Sequence, residues 1–271
     1  MPRLLSTKGA IALTIIVIVV AIAVAAPFVV PASMATQMHM ALRLRSPSAE
    51  HWLGTDQLGR DLFYRVLLGA RTSLSIAAAS VGISVAFGLP LGIASGYLGG
   101  WIDLVLMRLV DALLSFPALL LALTISAMLG PSVPNTIIAI GVAFTPFLAR
   151  IVRGEALRVA QMPYVEAARS GGTGDLAMIV RHVLPNVLPL VIVQGTISLA
   201  FAILAEAALS FLGLGTQPPQ SSWGLMIQAS RDYLDVAPWT ALVPGVAVAL
   251  TVLAFNMFGD VLRDVLDPRA R

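Results

Sequence analysis

The chain has 271 residues, 58% of them hydrophobic and only 11% charged, and a formal net charge of +3 at pH 7. Soluble domains average about 25% charged residues, so this composition excludes a soluble globular enzyme and indicates a polytopic membrane protein whose apolar runs are spans. The pI near 9.8 does not signal nucleic-acid binding, because the basic residues lie scattered between apolar runs and form no patch with aromatics. The absence of cysteine leaves no disulfide, zinc site or thiol chemistry within the chain. The only lysine is Lys8, so no Gly-rich loop ending in Gly-Lys-Ser/Thr exists and the chain has no ATPase site of its own. His39, His51 and His182 show no H-E-x-x-H spacing, and no G-x-S-x-G elbow is present.

In chain order, residues 1–9 form a basic N-terminus with Arg3 and Lys8, followed by a first apolar run over 10–31. Ala23-Val24-Ala25 resembles a signal-peptidase site. The run nevertheless continues through Val30, long enough to span, and is expected to remain as an uncleaved first transmembrane helix. Residues 32–70 are more polar. Leu58, Leu62, Val66 and Leu67 share a face at helical spacing, which predicts a short amphipathic helix capped by Thr55 or Asp56.

The second span is expected over 73–98, where Gly82, Gly88, Gly92 and Gly96 allow close helix approach. Gly99-Gly100 predicts a tight turn, and 102–129 a third span in which Arg108 and Asp111 can pair at i, i+3. A fourth span begins over 135–150 and runs into Arg150, Arg153, Glu155 and Arg158. A fifth covers 186–212 and carries Glu206. A carboxylate is costly in hydrocarbon, so Glu206 is expected to face protein or water. Residues 213–238 read as a Pro-, Gly- and Ser-rich loop whose Trp223 and Tyr233, with Trp239, suit a membrane-interface belt. The sixth span is 239–258, and 261–271 form a short tail.

Between the fourth and fifth spans lies 164–185, YVEAARSGGTGDLAMIVRHVLP, far more polar than its flanks. Pro163 suits a first helical position, and Glu166 in the first turn with Arg169 near the end favours the helix dipole. Gly171 and Gly172 end that helix. Asp175 opens a second, over 175–183, that Pro185 is expected to stop. Ala167 and Ala168 offer a small-residue face to a partner.

Glu166-Ala167-Ala168, three residues, Gly172, and then Leu184-Pro185 resembles the EAA signature of ABC importer permeases. Gly171 stands where that family usually has a bulkier apolar residue. His182 stands where the general pattern has Ile, a replacement common in the dipeptide and oligopeptide branch, which the chain resembles from about residue 51 onward. The resemblance implies an all-α membrane protein of the type I ABC importer permease fold, with six transmembrane helices. Residues 157–185 would be a cytoplasmic EAA coupling loop within a five-helix core over 71–260. It assigns ATPase coupling to Tyr164, Glu166, Ala167, Ala168, Gly172, Leu184 and Pro185. LGTDQLGRD, with Gly54, Thr55, Asp56, Gly59, Arg60 and Asp61, is similar to the family's external segment near the docking site of a binding protein. Glu206, in AEAALSFLGLG, matches an acidic position of the family, either structural at an external gate or in contact with substrate.

The implied partners are a second homologous permease subunit, two ABC ATPase subunits, an external substrate-binding protein and membrane lipid, with no nucleic acid. No cofactor is implied in this chain, since ATP and Mg would be bound by the ATPase subunits. With both termini inside, eleven basic residues fall on the inner side and six on the outer, in line with the positive-inside rule. The function implied is that of a C-type permease moving di- or oligopeptides across a bacterial inner membrane. Nickel, glutathione, opine and sugar permeases are similar. An ion-coupled carrier would rest on Glu206 alone, and a membrane hydrolase on Ser210 and Glu206 at i, i+4.

Overall fold

The computed structural model describes residues 7–31 and 36–266, and these are almost wholly helical. The described elements are α1 (Thr7–Val29), α2 (Leu62–Leu98), α3 (Gly100–Leu114), α4 (Ala118–Leu129), α5 (Val133–Ala160), α6 (Pro163–Ser170), α7 (Asp175–Phe211), α8 (Trp223–Ser230) and α9 (Trp239–Leu266). Short 3-10 turns lie at Met40–Leu42 and Arg231–Tyr233. Among the described residues the only β feature is an isolated antiparallel bridge between Thr55 and Asp61. Among the described residues five helices are long and apolar enough to cross a membrane, and counting the bent pair of α3 and α4 as one span gives six. The chain is a multi-pass membrane protein. Arg3 and the tail residues Arg269 and Arg271 lie outside the described residues.

The bundle is organised by the contact of α2 with α5, which run parallel: Gly88, Gly92 and Gly96 meet Leu148, Val152 and Ala156 in the same order. Gly88, Gly92 and Gly96 recur every fourth residue, so they stack on one side of α2. A β-carbon at Gly92 would sit 2.6 Å from the Ala149 carbonyl oxygen and 2.6 Å from Val152 Cβ, and one at Gly96 would sit 2.8 Å from Ala156 Cβ. The backbones meet there because glycine leaves the room, as in small-residue packing generally. Gly82, expected to join this face, has nothing within 4 Å of the same position; it is six residues from Gly88 and so falls off the stripe.

Four sequence expectations need correcting. The amphipathic stretch around Leu62–Leu67 is no separate helix but the first two turns of the 37-residue α2. Its cap is Asp61, whose side chain accepts from Phe63 N, while Asp56 is used elsewhere. The third span is broken, because Pro117 cannot continue a helix from Leu114, and α3 and α4 meet at 86°. Arg108 is not the partner of Asp111; Arg150 of α5 takes that role. One turn further along α5, Arg153 grips Asp103 through Nε and Nη2, both at 2.6 Å. These two pairs tie α3 to α5. Finally, Pro185 does not stop a helix. Ile179–Val183 form a π-helical turn, and α7 runs unbroken from Asp175 to Phe211. The wider turn accommodates the proline ring and its missing donor.

Candidate functional site

Two polar constructions occupy opposite ends of the bundle. The first is α6 with the start of α7. Pro163 lies at the helix N-terminus, Glu166 in the first turn and Arg169 in the last. Gly172 follows with φ +83°, and the Gly172 N–H bonds the Arg169 carbonyl. Only Val165 of this helix is fully buried, where it joins Val159, Met178 and Val183 in a core that also contains Ile93 and Tyr97 of α2. Tyr164, Glu166, Ala167 and Arg169 are exposed, and Ala168 is half-buried. The helix is therefore held by buried Val165 with half-buried Ala168 beside it, and presents most of its remaining surface outward.

Tyr97, absent from the sequence-based set, fastens this end to the bundle. The Tyr97 hydroxyl donates to Asp175 Oδ1 at 2.9 Å, and the Arg169 guanidinium lies 5.3 Å from the centre of its ring. The rings of Tyr164 and His182 lie 6.1 Å apart, which brings the start of α6 beside the π-helical turn. Leu184 packs against the same core. Pro185 instead lines a cavity of about 490 Å³ between α5, α7 and α9, together with Glu155, Arg158, Gln194 and Arg263.

The second construction is at the opposite end, where 54–65, the end of α7 and the 213–223 loop meet. All six candidate residues of the 54–61 segment are drawn together. Gly54 and Gly59 take φ +79° and +71°, which lets the chain fold back on itself. The Asp56 carboxylate accepts from Leu58 N and Arg60 N and binds Arg60 Nε at 2.7 Å, with Arg65 Nε at 3.4 Å. Asp61 pairs with His51 Nδ1 at 2.8 Å while capping α2. Thr55, Asp56, Arg60 and Arg65 are buried. The segment is thus packed against the bundle despite its polar sequence.

Glu206 sits beside it, fully enclosed by protein. Ser73 Oγ donates to Glu206 Oε2 at 2.9 Å, and Ser210 Oγ donates to Oε1 at 2.7 Å. Each serine also accepts a backbone N–H, Ser73 from Trp223 at 3.2 Å and Ser210 from Thr216 at 3.1 Å. Trp223 is buried, with Nε1 donating to the Val66 carbonyl at 3.1 Å, and Ser221 Oγ donates to the Arg65 carbonyl at 2.9 Å. The expectation of an interface-belt side chain is corrected for Trp223. Trp223 is a core side chain, Tyr233 accepts from Arg43 Nη2 at 3.1 Å, and Trp239 packs over Gly54. Ser210 spends its hydroxyl on Glu206, so the pair that suggested a hydrolase is a hydrogen-bonded strut. Ser73 and Trp223 were missed because they lie far from Glu206 in sequence, and no local pattern signals the contact.

Residues 88–271 match the family model described as binding-protein-dependent transport system inner membrane component. The chain is 44% identical over 261 residues to a dipeptide transport system permease protein of Alkalihalophilus pseudofirmus, covering 96% of this chain and 86% of that one. It is 43% identical to a glutathione transport system permease protein of Pectobacterium atrosepticum, over 83% of this chain and 75% of the relative. A putative peptide transport system permease protein of Brucella suis is 49% identical over 88% of this chain and 79% of its own length. Among solved structures, an inward-facing conformation of the MetNI methionine ABC transporter superposes with a TM-score of 0.63 at 18% identity, covering 76% of this chain and 98% of that one, a likeness of fold. With the family model matching most of the chain and these relatives spanning it, the chain belongs to the inner membrane components of binding-protein-dependent transport systems.

Proposed function

We propose that this chain is the C-type permease subunit of an ABC importer for dipeptides and short peptides, glutathione included, in a bacterial inner membrane. The observation that carries the reading is α6, a short helix anchored through buried Val165, with Tyr164, Glu166, Ala167 and Arg169 outward. Such a helix can take a push from outside and pass it to α2, α5 and α7, which share its core. Separate ATPase subunits would grip it and supply the ATP and Mg. Tyr164, Glu166, Ala167, Ala168 and Gly172 form the coupling surface, and Leu184 backs it from the core. Pro185 shapes the π-helical turn at the base of α7. Both termini and α6 lie on the cytoplasmic side. The 54–61 segment and the Glu206 network lie outside, where a substrate-binding protein would dock. A second, homologous permease completes the path. The chain makes and breaks no bond; it alternates between inward- and outward-facing arrangements, a rigid-body transition.

The test reconstitutes both permeases with their ATPases and measures co-purification, ATP hydrolysis stimulated by loaded binding protein, and peptide uptake. The Glu166 carboxylate has no hydrogen-bond or ion-pair partner among the described residues and is free to meet a cation on the ATPase. Glu166→Lys is expected to reduce co-purification or stimulated hydrolysis about tenfold while the spans remain inserted. Gly172→Val is expected to reduce uptake through backbone strain alone, because nothing lies within 4 Å of its β-carbon position. Wild-type behaviour of both variants in all three measurements would reduce α6 to a connector.

A further inference from the structure

Arg71 stands on α2, two residues beyond Gly69 and two before Ser73, and its side chain is exposed. It has no hydrogen-bond or ion-pair partner among the described residues. That sets it apart from Arg60 and Arg65 in the same region, both engaged by Asp56. A lone guanidinium on a spanning helix is tolerated where it reaches water, protein or an anionic partner. Arg71 lines a cavity of about 400 Å³ together with Thr72, Ser75, Gln220 and Ser221, and, with Ser75, a second of about 520 Å³ against α1. Among the described residues lining the first cavity there are two arginines and no carboxylate. Its volume lies within the range of roughly 300–1,000 Å³ usual for small-ligand pockets.

We propose that Arg71 is the anion-recognising residue of this cavity, and that its ligand is the terminal carboxylate of a short peptide on its way through the permease. A guanidinium offers two parallel N–H groups to a carboxylate, and with no competing acid among the described residues of the cavity wall the incoming carboxylate is the partner it lacks. The hydroxyls of Thr72 and Ser75, one and four residues along the helix, and the Gln220 amide can share the peptide's remaining polar groups. The ligand half of the proposal rests on the peptide reading above.

The first arm of the test needs no substrate. The chain has no cysteine, so Ser75→Cys places a unique thiol in it, one helical turn from Arg71. In the assembled importer in nanodiscs, labelling of this chain by anionic sulfonatoethyl methanethiosulfonate and by cationic trimethylammonioethyl methanethiosulfonate is followed by mass spectrometry. The anionic reagent is expected to react faster, and the ratio of the two rates to fall about tenfold when Arg71→Gln is added. No labelling by either reagent means that the side chain faces lipid, and an unchanged ratio means that Arg71 sets no field; either overturns the proposal. The second arm measures uptake of trialanine and of trialanine amide, each saturating the binding protein. Arg71→Gln should slow the free acid about tenfold and leave the amide unchanged, with Arg71→Lys between. Equal slowing of both, or of neither, overturns carboxylate recognition. A wild-type importer that carries neither compound overturns the peptide reading and the carboxylate half with it, while the labelling ratio still decides the anion site.

Discussion

The two ends of the bundle use the same residue types to opposite purpose. At the end holding Glu206, glycines are present because there is no space: a β-carbon on Gly224 would lie 2.6 Å from Ala207 Cα, and one on Gly54 would lie 2.7 Å from the Arg45 carbonyl. At the α6 end, Gly172 and Gly174 have nothing within 4 Å, and Gly172 serves only to let the backbone turn at φ +83°. Charges divide the same way. Asp56 and Glu206 are buried and bonded to named partners, whereas Glu166 and Arg169 are exposed. One end is a polar lock made within the chain, and the other is a lightly held surface. A region that transmits force needs the second property, since strong internal bonding would leave nothing to offer a partner.

The largest expected effect is at the lock. In Gly59→Val the new side chain would run into the His39 carbonyl while occupying φ +71°. Overpacking of about 1–3 kcal/mol and backbone strain of about 1–3 kcal/mol act together there. Thermal unfolding in detergent should show a large loss of stability, and a wild-type melting temperature would mean that the segment relaxes freely and is no lock.

Next comes Glu206→Ala. Two buried serine hydroxyls lose their acceptor, at about 1–3 kcal/mol for each group left unsatisfied. Glu206→Gln retains an acceptor oxygen and most of the volume and should cost less. If the two variants melt together, the hydroxyls do not depend on the carboxylate.

At the α6 end the effects should be smaller and local. Gly172→Ala is expected to cost about 1–2 kcal/mol from the left-handed backbone, visible as faster hydrogen exchange over 163–178 with the Glu206 end unchanged. Gly171→Ala, at φ −75°, should leave exchange as it was. Smallest is Tyr97→Phe, which removes one hydrogen bond to Asp175 worth about 0.5–1.5 kcal/mol. It should loosen α7 near Asp175 without lowering the melting temperature of the bundle. Spread of its effect to the Glu206 end would show that the two ends are not independent.

Much of the architecture is legible in sequence order alone. Composition identifies a membrane bundle. Glycine spacing at 88, 92 and 96 marks the α2 face that α5 covers, and the Pro163, Glu166, Arg169, Gly172 series marks a short helix with its caps. These signals work because they are local. Helical period, dipole complementarity and positive φ act within a few residues and are written as residue types at fixed spacing.

Only the tertiary structure decided which partners distant polar residues would take. Asp111 prefers Arg150 to Arg108, three residues away, because α5 runs alongside and delivers a guanidinium to it. Glu206 meets Ser73 across 133 positions, and Trp223 leaves the expected interface to fill the space behind them. The π-helical turn at Ile179–Val183 likewise reconciles Pro185 with a helix that packing of Met178, Val183 and Val187 requires to continue. In hydrocarbon a polar side chain must find a partner wherever the fold places one, so the apolar pattern determines the spans and the three-dimensional packing determines the pairs.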